Sequence, residues 1–319
     1  LRLVTYVEDD GGLRAGVELG SSVVDAAAAA RVVGWGAAEV AAAESVRGLL
    51  TLPAGRLGDL ADAARANEAV LAEQGAVRDI GEVRLAPPVP DPEKIICLGM
   101  NYADHAAEAN GTKPSAPMFF AKFPNSLVGP ADPIVVSDGM PTVDYEGELA
   151  VVIGCTAKSV TAEEALSYVA GAMVFNDVSE RTLQVSNPLW TAGKAIDTFG
   201  PCGPALVLMD ELDDLQDLGI RTRVNGAVVQ DGSTASMLFG MAEVIAHLSS
   251  TMTLVPGDII ATGTPAGVGF FRDPQLFLHA GDVVEVEIDQ LGTLRNEVIA
   301  AAGTRRSRVN QPSAPEGSS

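Results

Sequence analysis

The sequence predicts an α+β fold: a mixed sheet folded back on itself, preceded by a small N-terminal unit. Three observations predict it. Short β-branched runs recur after residue 94, Gly and Pro punctuate almost every strand end, and only a few helical stretches interrupt them. The 319 residues, 47% hydrophobic, can bury one large core or a core with a smaller domain.

Residues 1–85 read as the small α/β unit. LRLVTYV, LRAGVEL and SSVVDAA are short strands around the DDGG turn at 9–12, and an Ala-rich helix is expected over 59–73, with Leu60, Ala64, Val70 and Leu71 on one face. The Pro-rich run 86–93 is expected as a linker. Across 94–302 the strands are KIICLGM, PMFFAKF, PIVVS, LAVVIG, ALVLM, IRTRVNG, DIIATG and VVEVEID. Helices are expected near 103–109, 161–170, 178–185 and 235–250, the last with Leu238, Met241, Ile245 and Leu248 at helical spacing. The polar tail 303–319 is expected to be disordered.

Forty-two acidic against 21 basic residues give a formal charge of −21, which argues against nucleic-acid or anionic-membrane partners. No apolar run is long enough to span a bilayer, and the N-terminus lacks a secretion pattern. Cys97, Cys155 and Cys202 are scattered without a CxxC and read as free thiols in a reducing compartment, so a cytoplasmic protein is expected.

The chemistry centres on DYEGELAVVIG. Glu146 and Glu148 sit two apart at the entrance to a strand, so both carboxylates point to one face beside the core. Such like charges need a cation between them. Asp177, closing the apolar stretch Met173–Phe175, is the best third ligand, and an all-oxygen set favours Mg²⁺ or Mn²⁺ over zinc. By spacing alone the same residues read equally as a solvated strand edge and a helix N-cap. In GMNYADHAAE, His105 and Glu108 are i and i+3, close enough for the carboxylate to orient an imidazole base; an exposed helical ion pair is the plainer alternative. Lys194 lies in a Gly-rich, low-charge segment, where it either balances the carboxylates or holds a substrate oxygen, unless it is a surface lysine. GDIIATGTPAGVG at 257–269 lacks the elements of a nucleotide loop, although its N–H groups and the Thr262 or Thr264 hydroxyl suit a carboxylate.

Taken in order, GMNYADH, FFAKFPNS, DYEGELAVVIG, FNDVSERTLQ, GKAIDTFGPCGP, VNGAVVQDGST and GDIIATGTPAGVG resemble the motifs of the fumarylacetoacetate hydrolase superfamily over residues 94–298. The resemblance implies a mixed β-sandwich roll, a homodimer and one Mg²⁺ or Mn²⁺ per subunit, with Ca²⁺ a further candidate. It implies Glu146, Glu148 and Asp177 as metal ligands, and His105, Glu108 and Lys194 as catalytic residues. Lys122, Arg181, Gln184, Gln230 and Thr264 are implied as substrate contacts. On that basis a metal-dependent hydrolase is expected, cleaving a C–C bond of an acylpyruvate or β-diketone as the 101–112 segment closes. The alternatives are a decarboxylase of β-keto acids such as oxaloacetate, an isomerase of the 2-hydroxyhepta-2,4-diene-1,7-dioate type, and a non-catalytic binding protein.

Overall fold

The structure is a computed structural model that describes residues 1–53, 55–108, 111 and 113–302. The expected disordered tail, 303–319, lies outside the described residues.

All eight strands read from the β-branched runs are present, and they distribute over two large sheets. The larger has twelve strands. At its centre Gly147–Ile153 pairs antiparallel with Val169–Asn176 and with Ile259–Ala261, and Ile95–Gly99 continues it in parallel. The second, five-stranded sheet contains Gly219–Val224, Ala227–Ser233, Val283–Ile288, Gly292–Ala300 and Ile134–Val136. Alternation along Gly147–Ile153 explains why residues 149–153 are apolar without a break. Leu149, Val151 and Ile153 enter the core shared with the five-stranded sheet and the helix Met241–Thr251, whereas Ala150 and Val152 enter a second core under the N-terminal helices.

The N-terminal strands extend the central sheet directly. Arg2–Val7 pairs antiparallel with Gly200–Leu208, Leu3 opposite Leu206. The Pro-rich run between the two regions is packed rather than tethering: Val89 is fully buried and the Pro88 carbonyl accepts the Thr5 hydroxyl at 2.8 Å.

The helices are shorter than expected. The 59–73 stretch is two helices, Arg56–Ala66 and Glu68–Glu73, separated at Asn67, whose side-chain amide donates to the Ala63 carbonyl at 2.9 Å. The 161–170 stretch holds one turn, Ala162–Ala165, and a 3₁₀ turn before Val169 begins a strand. Near 178–185 only Arg181–Val185 is helical, because Ser179–Glu180 pairs with Val143–Asp144. Residues 235–240 precede the Met241–Thr251 helix, and Thr234–Ser236 is a 3₁₀ turn.

Gly147, between the two glutamates, sits where the two sheets touch. A Cβ there would lie 2.3 Å from Thr222 Oγ1 and 3.0 Å from Val286 Cγ1. Gly147→Ala is therefore expected to destabilise the fold by about 1–3 kcal/mol, the scale of core overpacking. Urea unfolding checks this, and an unchanged midpoint would show that the contact relaxes freely.

Candidate active site

Strand register assembles the acidic cluster. Glu148 lies opposite Phe175 and Gly147 opposite Asn176, and beyond the ladder the Asp177 N–H donates to the Glu146 carbonyl at 2.9 Å. Residues 146 and 148 therefore share a sheet face with Met173, Phe175 and Asp177. Oxygens of Glu146, Glu148 and Asp177 all lie within 4.8 Å of one another, and all three residues are buried.

Three buried cations meet this cluster. Lys194 Nζ donates to Glu146 Oε2 at 2.7 Å and to Asp177 Oδ2 at 2.8 Å. Lys122 Nζ donates to Asp177 Oδ1 at 2.7 Å and to the Val178 carbonyl at 3.1 Å. Arg181 NH1 donates to Glu146 Oε1 at 2.6 Å and Gln184 Oε1 at 2.9 Å, and its Nε donates to Asp144 Oδ2 at 2.8 Å. Burial favours the neutral acid at Glu146, but Lys194 and Arg181 outweigh it and push its pKa down to about 2. Lys194 behaves in the matching sense: burial opposes its charge, yet Asp177 and Glu146 prevail and raise its pKa.

Glu148 is the exception. Its Oε2 accepts the Gly263 N–H at 3.0 Å, from a residue at φ +92° that suits glycine, while Oε1 is buried with no partner. Burial, with repulsion from Asp177 and Glu146, pushes its pKa well up. An orphaned carboxylate oxygen inside an all-oxygen donor set fits a hard divalent cation, with Glu146, Glu148 and Asp177 as the residues that would hold it.

A cavity of about 170 Å³ opens onto this cluster. Its polar side carries His105, Glu146, Glu148, Arg181, Gln184, Lys194 and Thr264; its apolar side includes Phe120, Trp190, Phe270 and Phe271. His105, on the helix Ala103–Glu108, is 8% exposed, and its Nδ1 lies 3.2 Å from Glu108 Oε2. With Nδ1–H donated to that carboxylate, Nε2 keeps its lone pair for proton exchange. Glu108 also accepts the Gly267 N–H at 3.1 Å and Asp104 accepts the Ala266 N–H at 3.2 Å, so both carboxylates dock this helix on the Gly-rich loop. Residues 109, 110 and 112 of the expected closing segment lie outside the described residues.

Two residues expected at the substrate stand behind the cavity wall instead. Lys122 is 1% exposed with its ammonium on Asp177 and Val178. Gln230 spends its amide on the backbone of the site: Oε1 accepts the Gly147 N–H at 3.0 Å, and Nε2 donates to Thr264 Oγ1 at 2.7 Å and to the Pro265 carbonyl at 2.9 Å. Thr264 does line the cavity, but its hydroxyl donates to the Gly147 carbonyl at 2.8 Å. Phe119 points away from the cavity and packs edge-on against His247. Asp144 was missed, although it precedes Glu146 by two residues and so continues the spacing that singled out the glutamates.

Comparison with known proteins follows the same lines. The family model described as fumarylacetoacetate (FAA) hydrolase C-terminal matches residues 94–299. The chain is 49% identical over 219 residues to a mitochondrial oxaloacetate tautomerase of Xenopus laevis, covering 68% of this chain and 69% of that protein. It is 47% identical over 231 residues to a mitochondrial oxaloacetate tautomerase of Homo sapiens, covering 72% and 74%. The solved fumarylacetoacetate hydrolase of Exiguobacterium antarcticum superposes with a TM-score of 0.76 at 36% identity, covering 94% of this chain and 99% of that one. The 2-hydroxyhepta-2,4-diene-1,7-dioate isomerase of Mycobacterium marinum gives 0.70 at 31%, covering 95% and 100%. The mitochondrial relatives overturn the cytoplasmic expectation. Free thiols separate reducing from oxidising surroundings and do not discriminate cytosol from mitochondrial matrix. No helix among the described residues is long and apolar enough to cross a membrane.

Because burial and the neighbouring Asp177 and Glu146 raise the pKa of Glu148, protons compete with a cation there up to higher pH than at an ordinary carboxyl. Calorimetric titration with Mn²⁺ in buffers of different ionisation enthalpy is expected to show proton release, with affinity falling as pH falls. Glu148→Gln is expected to weaken binding by more than the roughly 10–100-fold typical of outer-shell changes. Equal Mn²⁺ affinity in wild type and variant would exclude Glu148 as a ligand.

Proposed function

The chain belongs to the fumarylacetoacetate hydrolase family, and from that premise we propose that it is a tautomerase of small 2-oxo acids of the oxaloacetate type, interconverting enol and keto forms. The observation that carries this reading is the His105–Glu108 pair at the cavity beside the buried carboxylate cluster. The names of the curated relatives favour it over the C–C hydrolase expected from sequence. We assign Glu146, Glu148 and Asp177 as ligands of one Mg²⁺ or Mn²⁺, with Ca²⁺ a third candidate, since hard oxygen donors accept each of them.

The bound cation would supply positive charge to the substrate's carboxylate and 2-oxo oxygens. The chain's own residues do the rest. His105 Nε2 takes the proton from the enol oxygen, Glu108 stabilises the resulting imidazolium through Nδ1, and the proton returns to the adjacent carbon. The enol C=C π bond becomes the C=O π bond as the C–H bond forms, and no carbon–carbon or carbon–oxygen σ bond forms or breaks. Arg181 and Lys194 keep Glu146 ionised, and the Gln184 amide nitrogen, its oxygen committed to Arg181, is available to a substrate oxygen. Phe271 lies edge-on to His105 at 5.8 Å and shields the imidazole from bulk water. The cavity is smaller than the roughly 300–1,000 Å³ of drug-sized ligand sites, which suits a compact keto acid.

Hydrolysis of an acylpyruvate is the second reading, favoured by the 36% identity to a fumarylacetoacetate hydrolase. It requires the same pair to activate a water. The homodimer implied by the family resemblance belongs to this proposal too, and sedimentation velocity tests it.

Stopped-flow absorbance of oxaloacetate enol decay is expected to show metal-dependent acceleration, without CO₂ release. His105→Ala is expected to lower kcat by roughly 10²–10⁴-fold. Conversion of an acylpyruvate to two acids at a comparable or greater rate would replace this reading with the hydrolase; CO₂ as the main product would make the enzyme a decarboxylase.

A further inference from the structure

Asp144 is fully buried, lies outside the cavity lining, and gathers donors from three directions. Its Oδ1 accepts the N–H of Gly269 at 2.8 Å and its own neighbour's, Tyr145, at 2.9 Å. Its Oδ2 accepts the N–H of Phe270 at 2.9 Å and Arg181 Nε at 2.8 Å, with Arg181 NH2 2.7 Å away. The two loop donors come from the turn Gly269–Phe271 that forms the aromatic wall. Phe270 stands 5.1 Å from Phe271 and 6.0 Å from the Arg181 guanidinium, and Phe271 reaches His105. Arg181 in turn fixes Glu146 and Gln184.

We propose that Asp144 is a positioning residue that locks the Phe270–Phe271 wall to Arg181, and through Arg181 to Glu146, so that imidazole, aromatic wall and carboxylate cluster keep one relative geometry. An acceptor-only side chain is required, because every group facing it is a donor. Asparagine keeps the shape but turns an NH₂ toward at least one of those donors, leaving it unpaired. The proposal deepens the reading of the site as a keto-acid tautomerase and rests on it for the turnover measurements alone.

The first test needs no substitution. Amide hydrogen exchange of the wild-type protein is expected to show Gly269 and Phe270 protected well beyond Arg272 and Asp273; equal exchange along the turn would overturn the lock. The second uses Asp144→Asn, with Phe271→Ala as partner. Asp144→Asn is expected to weaken Mn²⁺ binding by roughly 10–100-fold, the scale of outer-shell losses, and to lower kcat at saturating Mn²⁺. Phe271→Ala, which touches no ligand carboxylate, is expected to lower kcat and leave Mn²⁺ affinity unchanged. The kcat losses in the double variant are expected to be markedly less than multiplicative, since both act on the same wall. A lower melting temperature with wild-type Mn²⁺ affinity, or fully multiplicative kcat losses, would reduce Asp144 to a structural residue. Mn²⁺ affinity and hydrogen exchange do not depend on which substrate turns over, so they separate failure of this proposal from failure of the tautomerase reading. If Asp144→Asn does not fold, the exchange experiment decides.

Discussion

The site is governed by charge balance among buried side chains. Asp144, Glu146, Glu148 and Asp177 are four buried carboxylates, and Lys122, Arg181 and Lys194 are three buried cations. One negative charge is left over. It settles on Glu148, which has a single N–H partner and no cation, and whose pKa is raised accordingly. A buried charge without a partner is resolved by a proton or by a counter-ion. With a proton the cluster is neutral; with a divalent cation and Glu148 ionised it would carry one positive charge, the sign that the proposed keto-acid anion calls for. Removing any one of the three cations would leave a carboxylate uncompensated, a loss on the order of 3–5 kcal/mol for buried pairs.

The fold supplies this arrangement through strand register. Antiparallel pairing sets Glu146 beside Asp177, and the two-residue repeat puts Glu148 on the same face. The close approach of the second sheet at Gly147 prevents that strand from sliding, while Gln230 pins the same residue through its N–H. Rigid strands thus carry the charges, and a short docked helix carries the base.

How much of this was legible in the sequence depended on the range of the interaction. Local periodicity revealed the strands, the two glutamates, and the His105–Glu108 pair, because each is encoded within a few residues. Asp177 was visible as the polar end of an apolar run. The roles of Lys122 and Gln230 were not, since a basic or amide side chain reads the same whether it meets substrate or stands behind the cluster. Only the fold shows that Asp177 takes the Lys122 ammonium. Asp144 was lost for a similar reason: its partners, Gly269 and Phe270, are 125 and 126 residues away and contribute only backbone N–H groups, which leave no sequence signature. The aromatic wall divides by strand alternation, Phe120 turning to the cavity and Phe119 to His247, a parity that the sequence contained but that needed a known face to interpret.

The interlocking of the cluster also bears on how one scaffold can serve different reactions. Lys194 joins Glu146 to Asp177, and Arg181 joins Asp144 to Glu146, so neither can change without disturbing two partners. Tautomerisation, decarboxylation and hydrolysis all place negative charge on the same substrate oxygens, and this fixed field serves each alike. What differs is whether a water reaches the carbonyl and whether a carboxylate is held where it can leave. On the proposed reading those choices would fall to Met100, Val185, Trp190 and Phe271, cavity residues that retain solvent exposure and donate no hydrogen bond to the carboxylates. Val185 and Phe271, the most exposed of them, can vary without touching the charge balance. On the proposed reading, selection among reactions would therefore belong to the apolar wall, and the capacity to react at all to the buried charges behind it.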